Sequence, residues 1–249
     1  MCWWRFLART IRLGIAVGCA LTLLGCVPAF VTHPNIGDRA PRLKNITLLP
    51  PRIDVFEIGA GGVLEKMDDW SRSGAENVLK AFQSELGRRN GVQLNSLETA
   101  TLPEELKVEI EQTQLLFDAV SASIALHIYG PELLRFDDKR TNFQYSLGVE
   151  TAKLATTVAD ALLIVKGFDQ ISSSGRQAVQ VGTIIAAAAL GIVVIPQGGI
   201  TAMNVALVDA RSGDILWYVS LRSSGGHDLR DPSSASAFVK NILTGFPIQ

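Results

Sequence analysis

The chain has 249 residues, 47% of them hydrophobic and 19% charged, with a formal net charge of −1. That is enough for one large or two small domains. The charged fraction falls below the ~25% usual for soluble domains because of apolar stretches at the N-terminus and at residues 181–195. No basic patch stands out, which excludes the electrostatic footprint of a nucleic-acid-binding protein.

Residues 1–12 carry Arg5, Arg9 and Arg12 and no acid, and an apolar run follows from Leu13 to Gly25. A basic segment followed by a short apolar one is the arrangement of a secretory signal, and the run is shorter than the ~20 residues of a spanning helix. It ends in Leu23-Leu24-Gly25-Cys26, which resembles the lipobox of bacterial lipoproteins. That resemblance implies acylation of the Cys26 thiol and cleavage just before it, so that 1–25 is a signal peptide and the chain is held to a membrane by acyl chains on Cys26. Two or more chains are needed for stable anchoring. Removing the three leader arginines from the 23 basic residues leaves 20 against 24 acidic, a net charge near −4. Val27, standing where an aspartate would favour inner-membrane retention, points to the inner leaflet of the outer membrane, facing the periplasm. Cys2 and Cys19 lie in the leader, so no intrachain disulfide is expected. Residues 26–44, with Pro28, Pro34, Gly37 and Pro41, read as a tether.

The folded part is expected over 45–249. Asn45–Ile53 is a short strand stopped by Pro50-Pro51. Gly59-Ala60-Gly61-Gly62 is either a flexible loop or the turn of a hairpin between Asp54–Ile58 and Val63–Met67, and it does not match a dinucleotide-binding fingerprint. A first helix is expected from a Ser73/Glu76 capping box through Val78, Leu79, Phe82 and Leu86, stopped by Asn90-Gly91. Val92–Leu97 is a short strand. A second helix opens at Thr101/Glu104, with Pro103 in its first turn, and runs through Leu106, Ile110, Phe117, Val120 and Ile124. Its end, Ile124–Tyr129, reads equally as a strand. Residues 132–145 read as an exposed loop, and a third helix is expected from Ser146 to about Val158.

Ala161–Phe168 is a buried strand by its length and branched residues, followed by a turn at Ile171–Arg176. Val181–Ile195 holds no charge and nothing more polar than Thr183. It is either buried core or a segment that docks on membrane or on another subunit. Thr201–Asp209 and Asp214–Arg222 form a hairpin about Ala210–Gly213, with period-two faces at Val205, Leu207, Ile215, Trp217, Val219 and Leu221. The last helix is capped near Asp231, with Pro232 in its first turn and Ala235, Phe238, Val239, Ile242 and Leu243 as its core stripe; Gly245 and Pro247 end it. Together these elements predict an α/β (α+β) fold, a single mixed β-sheet flanked by helices, with a C-terminal β-hairpin followed by a closing helix.

Residues with chemistry are sparse. His33, His127 and His227 have no second histidine or cysteine at ligand spacing, short of the three or four ligands zinc takes; His127 is expected as a satisfied core histidine. Ser172-Ser173-Ser174-Gly175 lacks the first glycine of a nucleophile elbow. His227, Asp228, Arg230 and Asp231 cluster in one loop, as an acid/base or ligand site, or as a helix cap with an arginine–carboxylate pair. Asp68-Asp69 and Asp137-Asp138 read as solvated loop charges. No catalytic, cofactor-binding or metal-binding residue is assigned.

The run Val205-Ala206-Leu207-Val208-Asp209-Ala210-Arg211-Ser212-Gly213-Asp214-Ile215-Leu216-Trp217 resembles a hairpin of envelope lipoproteins, as do Ile46–Pro50 and Ala159-Asp160-Ala161 before Leu162–Phe168. The group is the superfamily shared by the TolB amino-terminal domain, the curli-secretion lipoprotein CsgG and the penicillin-binding-protein activator LpoB. With Ser172–Arg176 and Gly226–Arg230, the chain also resembles uncharacterised proteobacterial lipoproteins. The resemblance spans 45–53 and 146–247. It implies a non-enzymatic domain used for docking or oligomerisation, with no catalytic residues. The expected function is a scaffold or accessory lipoprotein that binds another envelope protein or itself. The alternatives are a self-assembling secretion or pore subunit and an envelope hydrolase using the 227–231 loop.

The leader makes a direct prediction. Mass spectrometry of the protein recovered from cells should find a mature chain that begins at an acylated Cys26; an intact N-terminus with a free thiol refutes it.

Overall fold

The computed structural model describes residues 29–89, 91–97, 102–131, 136–154, 159–189 and 199–248, with the side chain of residue 140 and those from 182 to 189 left aside. In chain order the elements are β1 (Phe30–Thr32), α1 (Ile36–Arg39), β2 (Asn45–Leu48), β3 (Arg52–Ile58), β4 (Leu64–Lys66), α2 (Asp68–Leu86), β5 (Gln93–Ser96), α3 (Glu104–His127), α4 (Asp137–Thr141), β6 (Ala161–Ser172), α5 (Ser174–Ala189), β7 (Ile200–Asp209), β8 (Ile215–Ser224) and α6 (Pro232–Ile242). The eight described strands form one sheet in the order β1-β8-β7-β6-β2-β5, with β3 also beside β6 and β4 beside β3.

The sheet is mixed around β6. On one side β6 pairs antiparallel with β7, which turns back into β8. On the other it pairs parallel with two short strands in succession, β2 against Ala161–Leu163 and β3 against Lys166–Ser172. Ile46 faces Ala161 but Arg52 faces Lys166, so one extra residue is taken up between β2 and β3. That is the signature of a bulge, and it falls at Pro50-Pro51, where the ladder lacks two N–H donors. The expected stop is thus an interruption within one edge. Beyond it, β3 and β4 form the hairpin alternative for residues 54–67.

A strand covered on both faces reads as a continuous apolar run, and β6 does so. Leu163 and Val165 join Val205, Leu207 and Trp217 under α2 and α6, where Val78, Phe82, Leu86, Phe238 and Val239 close the core. Leu162 and Ile164 join Ala206, Val208 and Tyr218 on the opposite face under α3, which contributes Ile110, Phe117 and Ile124. The sheet is therefore a middle layer with helices on both faces.

Several expectations are corrected. The 26–44 tether is not free along its whole length. Phe30–Thr32 adds to the outer edge of β8 opposite Trp217–Val219, the His33 N–H donates to the Leu216 carbonyl, and α1 and a 3-10 turn at Ala40–Arg42 follow. The open edge of β8 supplies the ladder partners that the sequence alone does not display. Helix α2 starts at Asp68, not at a Ser73 cap. Its two aspartates lie in the first turn, where the helix dipole favours them, and the Ser73 hydroxyl donates back to the Asp69 carbonyl. The chain leaves α2 at Gly87, ahead of Asn90-Gly91. Asp137-Asp138 likewise open α4. Thr101 lies outside the described residues; Pro103 is the N-cap of α3, and 124–127 are helical. The helix expected over 146–158 is absent as far as it is described: Ser146 bridges to Asp214, and only a 3-10 turn spans Val149–Lys153. The turn expected at 171–176 is instead the end of β6 and the start of α5.

Trp217 is fully buried and meets the Phe246 ring edge-on at 5.2 Å, with its indole N–H unpartnered. Trp217→Ala therefore loses packing and no hydrogen bond. It should cost about 3–5 kcal/mol in denaturant unfolding; a loss under about 1 kcal/mol would show that this core is not the one that holds the sheet.

Candidate functional site

The loop that gathers His227, Asp228, Arg230 and Asp231 is built on a residue outside the motif. Asp169, near the end of β6, is fully buried. One carboxylate oxygen accepts from the Thr201 hydroxyl on β7 at 2.7 Å and the other from the Leu229 N–H at 2.8 Å. Burial pushes Asp169 above the usual carboxylate range, against these hydrogen bonds, which favour the anion. From α2, the Asn77 amide donates to the carbonyls of Leu229 and Arg230 at 3.1 and 2.8 Å. The loop backbone is thus held from the sheet and from a helix at once.

The loop side chains are committed to neighbours. Arg230 donates through Nε and Nη2 to the two oxygens of Asp228 at 3.0 and 2.8 Å, and its guanidinium lies 4.1 Å from the Trp70 ring centroid. Partial burial opposes ionisation of Asp228, but the Arg230 hydrogen bonds and charge outweigh it and hold the carboxyl below its usual range. Asp231 caps α6 by accepting from the Ser234 N–H at 2.8 Å. The Ser234 hydroxyl accepts from the Asp228 N–H at 2.8 Å. The His227 ring packs edge-on to Phe238 at 4.8 Å. Beside the loop, Gln170, Ser172, Gln177, His227 and Asp228 line an open depression of about 240 Å³. The cap and the arginine–carboxylate pair anticipated from sequence are both present. Asp169, Thr201, Asn77 and Trp70 were not anticipated; an acid at the end of the run ALLIVKGFD was the available signal.

The other resemblance residues are joints. In the β7–β8 turn, an Asp209 carboxylate oxygen accepts from the Arg211 and Ser212 N–H groups at 2.9 and 3.1 Å. Gly213 has φ of +74°, and a side chain there would strike the Gly148 carbonyl. Asp214 takes a 2.8 Å ion pair from Arg39 of the N-terminal arm. Burial opposes the Asp214 charge, and the Ser212 hydroxyl and Arg39 together lower its pKa. Asp160 accepts from the N–H groups of Lys44 and Asn45 at 3.0 and 2.9 Å, which pins the start of β2 to β6.

The three histidines lie apart. The His33 Nδ1 accepts from the Asn35 N–H at 3.1 Å. His127 is half-buried against Phe136 at 4.6 Å, so it is not the core histidine expected. Among the described residues, no three His, Cys, Asp or Glu side chains come together as a metal site, and no helix is long and apolar enough to cross a membrane. Cys26 lies outside the described residues, as do the side chains of 182–195; Val181, where that run begins, is exposed.

The most unusual surface is the outer face of α3. Leu106, Ile110, Phe117 and Ile124 point to the sheet, but the helix is apolar on its other side too. Val108, Leu115, Leu116 and Leu126 are 45%, 53%, 43% and 43% exposed, and Ala119 and Ala122 lie exposed between them. Positions 108, 112, 115, 119, 122 and 126 follow the alternating four- and three-residue spacing of a coiled-coil seam. Between Gln112 and Leu126 the only charge is Asp118, which turns inward to Arg52 at 3.1 Å and Lys166 at 2.7 Å. On the same sheet face, next to the Asp118–Lys166 pair, Phe56, Phe168, Ala202 and Asn204 border a shallow depression of about 330 Å³.

Asp169 allows a pH test. A carboxyl whose folded pKa is raised adds stability that is present below its unfolded value and lost as pH rises through the folded one. Asp169→Asn keeps an acceptor for Leu229 and an amide for Thr201, so it should fold and flatten that part of the acid-side profile. Asp169→Ala leaves the Leu229 N–H unpartnered and should cost about 1–3 kcal/mol at neutral pH. Urea unfolding between pH 3 and pH 7 checks both; an unchanged profile in the Asn variant would contradict the assignment.

No protein-family model matches the chain, and no curated protein sequence does. Among solved structures it is similar to the PelC dodecamer from Paraburkholderia phytofirmans, at 9% identity and a TM-score of 0.36 over 88% of this chain and 96% of that one. It is also similar to lipoprotein GNA1162 from Neisseria meningitidis, at 13% identity and a TM-score of 0.29 over 80% and 94% of the two chains. A third is the LpoB C-terminal domain from Salmonella enterica, at 11% identity and a TM-score of 0.26 over 73% and 83%.

Proposed function

We propose that this chain is a lipid-anchored envelope lipoprotein, facing the periplasm from the inner leaflet of the outer membrane. It acts without catalysis, by binding another envelope component through the outer face of α3. The exposed apolar seam on α3 is the observation that carries the reading. Contiguous exposed apolar surface marks interaction sites, and a helix apolar on two opposite sides needs something to cover the second. The address rests on the leader and its LLGC tetrapeptide.

The early start of the fold sharpens the geometry. Only four residue steps separate Cys26 from Phe30, and a fully extended chain spans at most ~3.6 Å per residue, so β1 begins within about 14 Å of the backbone of the acylated residue. The β1–β8 edge is therefore held beside the bilayer, and a partner must be one that reaches that layer. The hydrolase alternative loses its acid/base pair in this reading, because Asp228 is taken by Arg230 and Asp231 by the α6 N-terminus.

A photoreactive side chain at position 115 should cross-link the full-length protein to a discrete envelope species in cells. Leu115→Glu with Leu126→Glu should reduce its recovery at least tenfold, while the melting temperature stays nearly unchanged, as exposed substitutions shift stability by only about 0.5 kcal/mol. For that charged variant the photoreactive group is moved to position 119 on the same seam. Undiminished recovery with the charged variant would refute the α3 face as the docking surface.

A further inference from the structure

The geometry points to a second copy of this chain as the occupant of the α3 face, packed antiparallel about a two-fold axis at the level of Phe117. This rests on the reading of that face as a docking surface and names the partner. The seam is its own complement. Positions equidistant from Phe117 pair Val108 with Leu126, Gln112 with Ala122 and Leu115 with Ala119. Two of these three layers set a long side chain against an alanine, as interdigitation requires, and a two-fold contact uses one patch on both subunits. Charge selects the direction. Of the acids in the first half of α3, Glu104 is paired with Lys107 at 3.2 Å and Glu109 with Lys153 at 3.4 Å, which leaves Glu105 and Glu111 as the excess, and from Ala119 to Leu126 there is no charged residue. A parallel pair would set those acids against their own copies. The antiparallel pair sets Glu111 opposite Ser123 and Glu104 and Glu105 opposite Gly130 and Tyr129 just past the partner's last turn, positions without charge, and it also brings each helix N-terminus near the partner's C-terminus, which the helix dipoles favour.

Size is consistent with a specific, reversible contact. The seam from 108 to 126 is about 27 Å long at 1.5 Å per residue. Flanked by the exposed Leu116 and Phe136, it reaches on the order of 1,000 Å² of total buried surface, the lower end for specific interfaces. Confinement of anchored copies to one leaflet raises their effective concentration and favours such a contact.

Engineered cysteines in the full-length, membrane-inserted protein test the pairing under mild oxidation, with the parent chain as control. Gln112→Cys/Ala122→Cys should give a covalent dimer. Gln112→Cys alone should give little, because in the antiparallel seam the two copies of residue 112 lie ten residues, about 15 Å, apart, too far for a disulfide. In detergent, Leu115→Ala and Ala119→Leu should each weaken self-association roughly tenfold or more, and the double variant should restore it, because the long–small layers are rebuilt with their sides exchanged. Both sites are exposed, so the variants keep the parent melting temperature. A parent chain that remains monomeric by mass at high micromolar concentration, with no dimer from the double-cysteine variant, overturns the inference. If Leu115→Glu with Leu126→Glu still abolishes cross-linking in cells in that event, the α3 face serves another protein and only the second copy is excluded.

Discussion

Burial of β6 on both faces is the constraint on which the other elements depend. A strand that shows apolar side chains to both sides must be covered on both, and each cover is recruited from a distant part of the chain. Helices α2 and α6 close one side, and α3 closes the other. The same strand sets the pairing of the sheet, because it holds the β7–β8 hairpin on one edge and the interrupted β2–β3 edge on the other. A sheet built this way leaves little freedom in its middle, and the residues open to solvent lie at its ends and on the outer faces of its helices.

Carboxylates fasten those ends. Asp160 pins the entry of β2, Asp209 and Asp214 shape the β7–β8 turn and hold Arg39, and Asp169 ties the 227–231 loop to the sheet. Each accepts hydrogen bonds from backbone or hydroxyl donors, and Asp214 adds an ion pair with Arg39, so each fixes the local geometry of the chain. The polar residues that make the sequence look like envelope lipoproteins are largely of this kind. They preserve joints, which is why a likeness carried by them speaks to architecture before activity.

The long helix α3 departs from the pattern of an amphipathic surface helix, which shows water a polar face. Its inner stripe meets the sheet and its outer stripe meets solvent, with the lone charge of its second half drawn inward to Arg52 and Lys166. Turning that aspartate inward leaves the outer stripe free of charge across four turns. Among the described residues nothing covers the outer leucines, which are the surface on which the proposed docking rests.

The sequence by itself determined the hairpin at 201–222, the strand beginning at Ala161, the closing helix with its Asp231 cap and the mixed α/β class, because each is written in local periodicity or in a cap at short range. The signal-like leader and the tetrapeptide ending at Cys26 are equally local. What only the tertiary structure decided depends on partners far along the chain. Phe30–Thr32 is a strand because β8 has a free edge, and α2 begins at Asp68 because Ser71 there accepts from Val55 on β3 and donates to Met67. Asp169 joins the loop site because β6 continues past Phe168 to meet Leu229, 60 residues away. The outer stripe of α3 is likewise visible in sequence only as further apolar residues in a helix already counted as core; which of its two faces meets the sheet is fixed by where β6 and Tyr218 place their side chains.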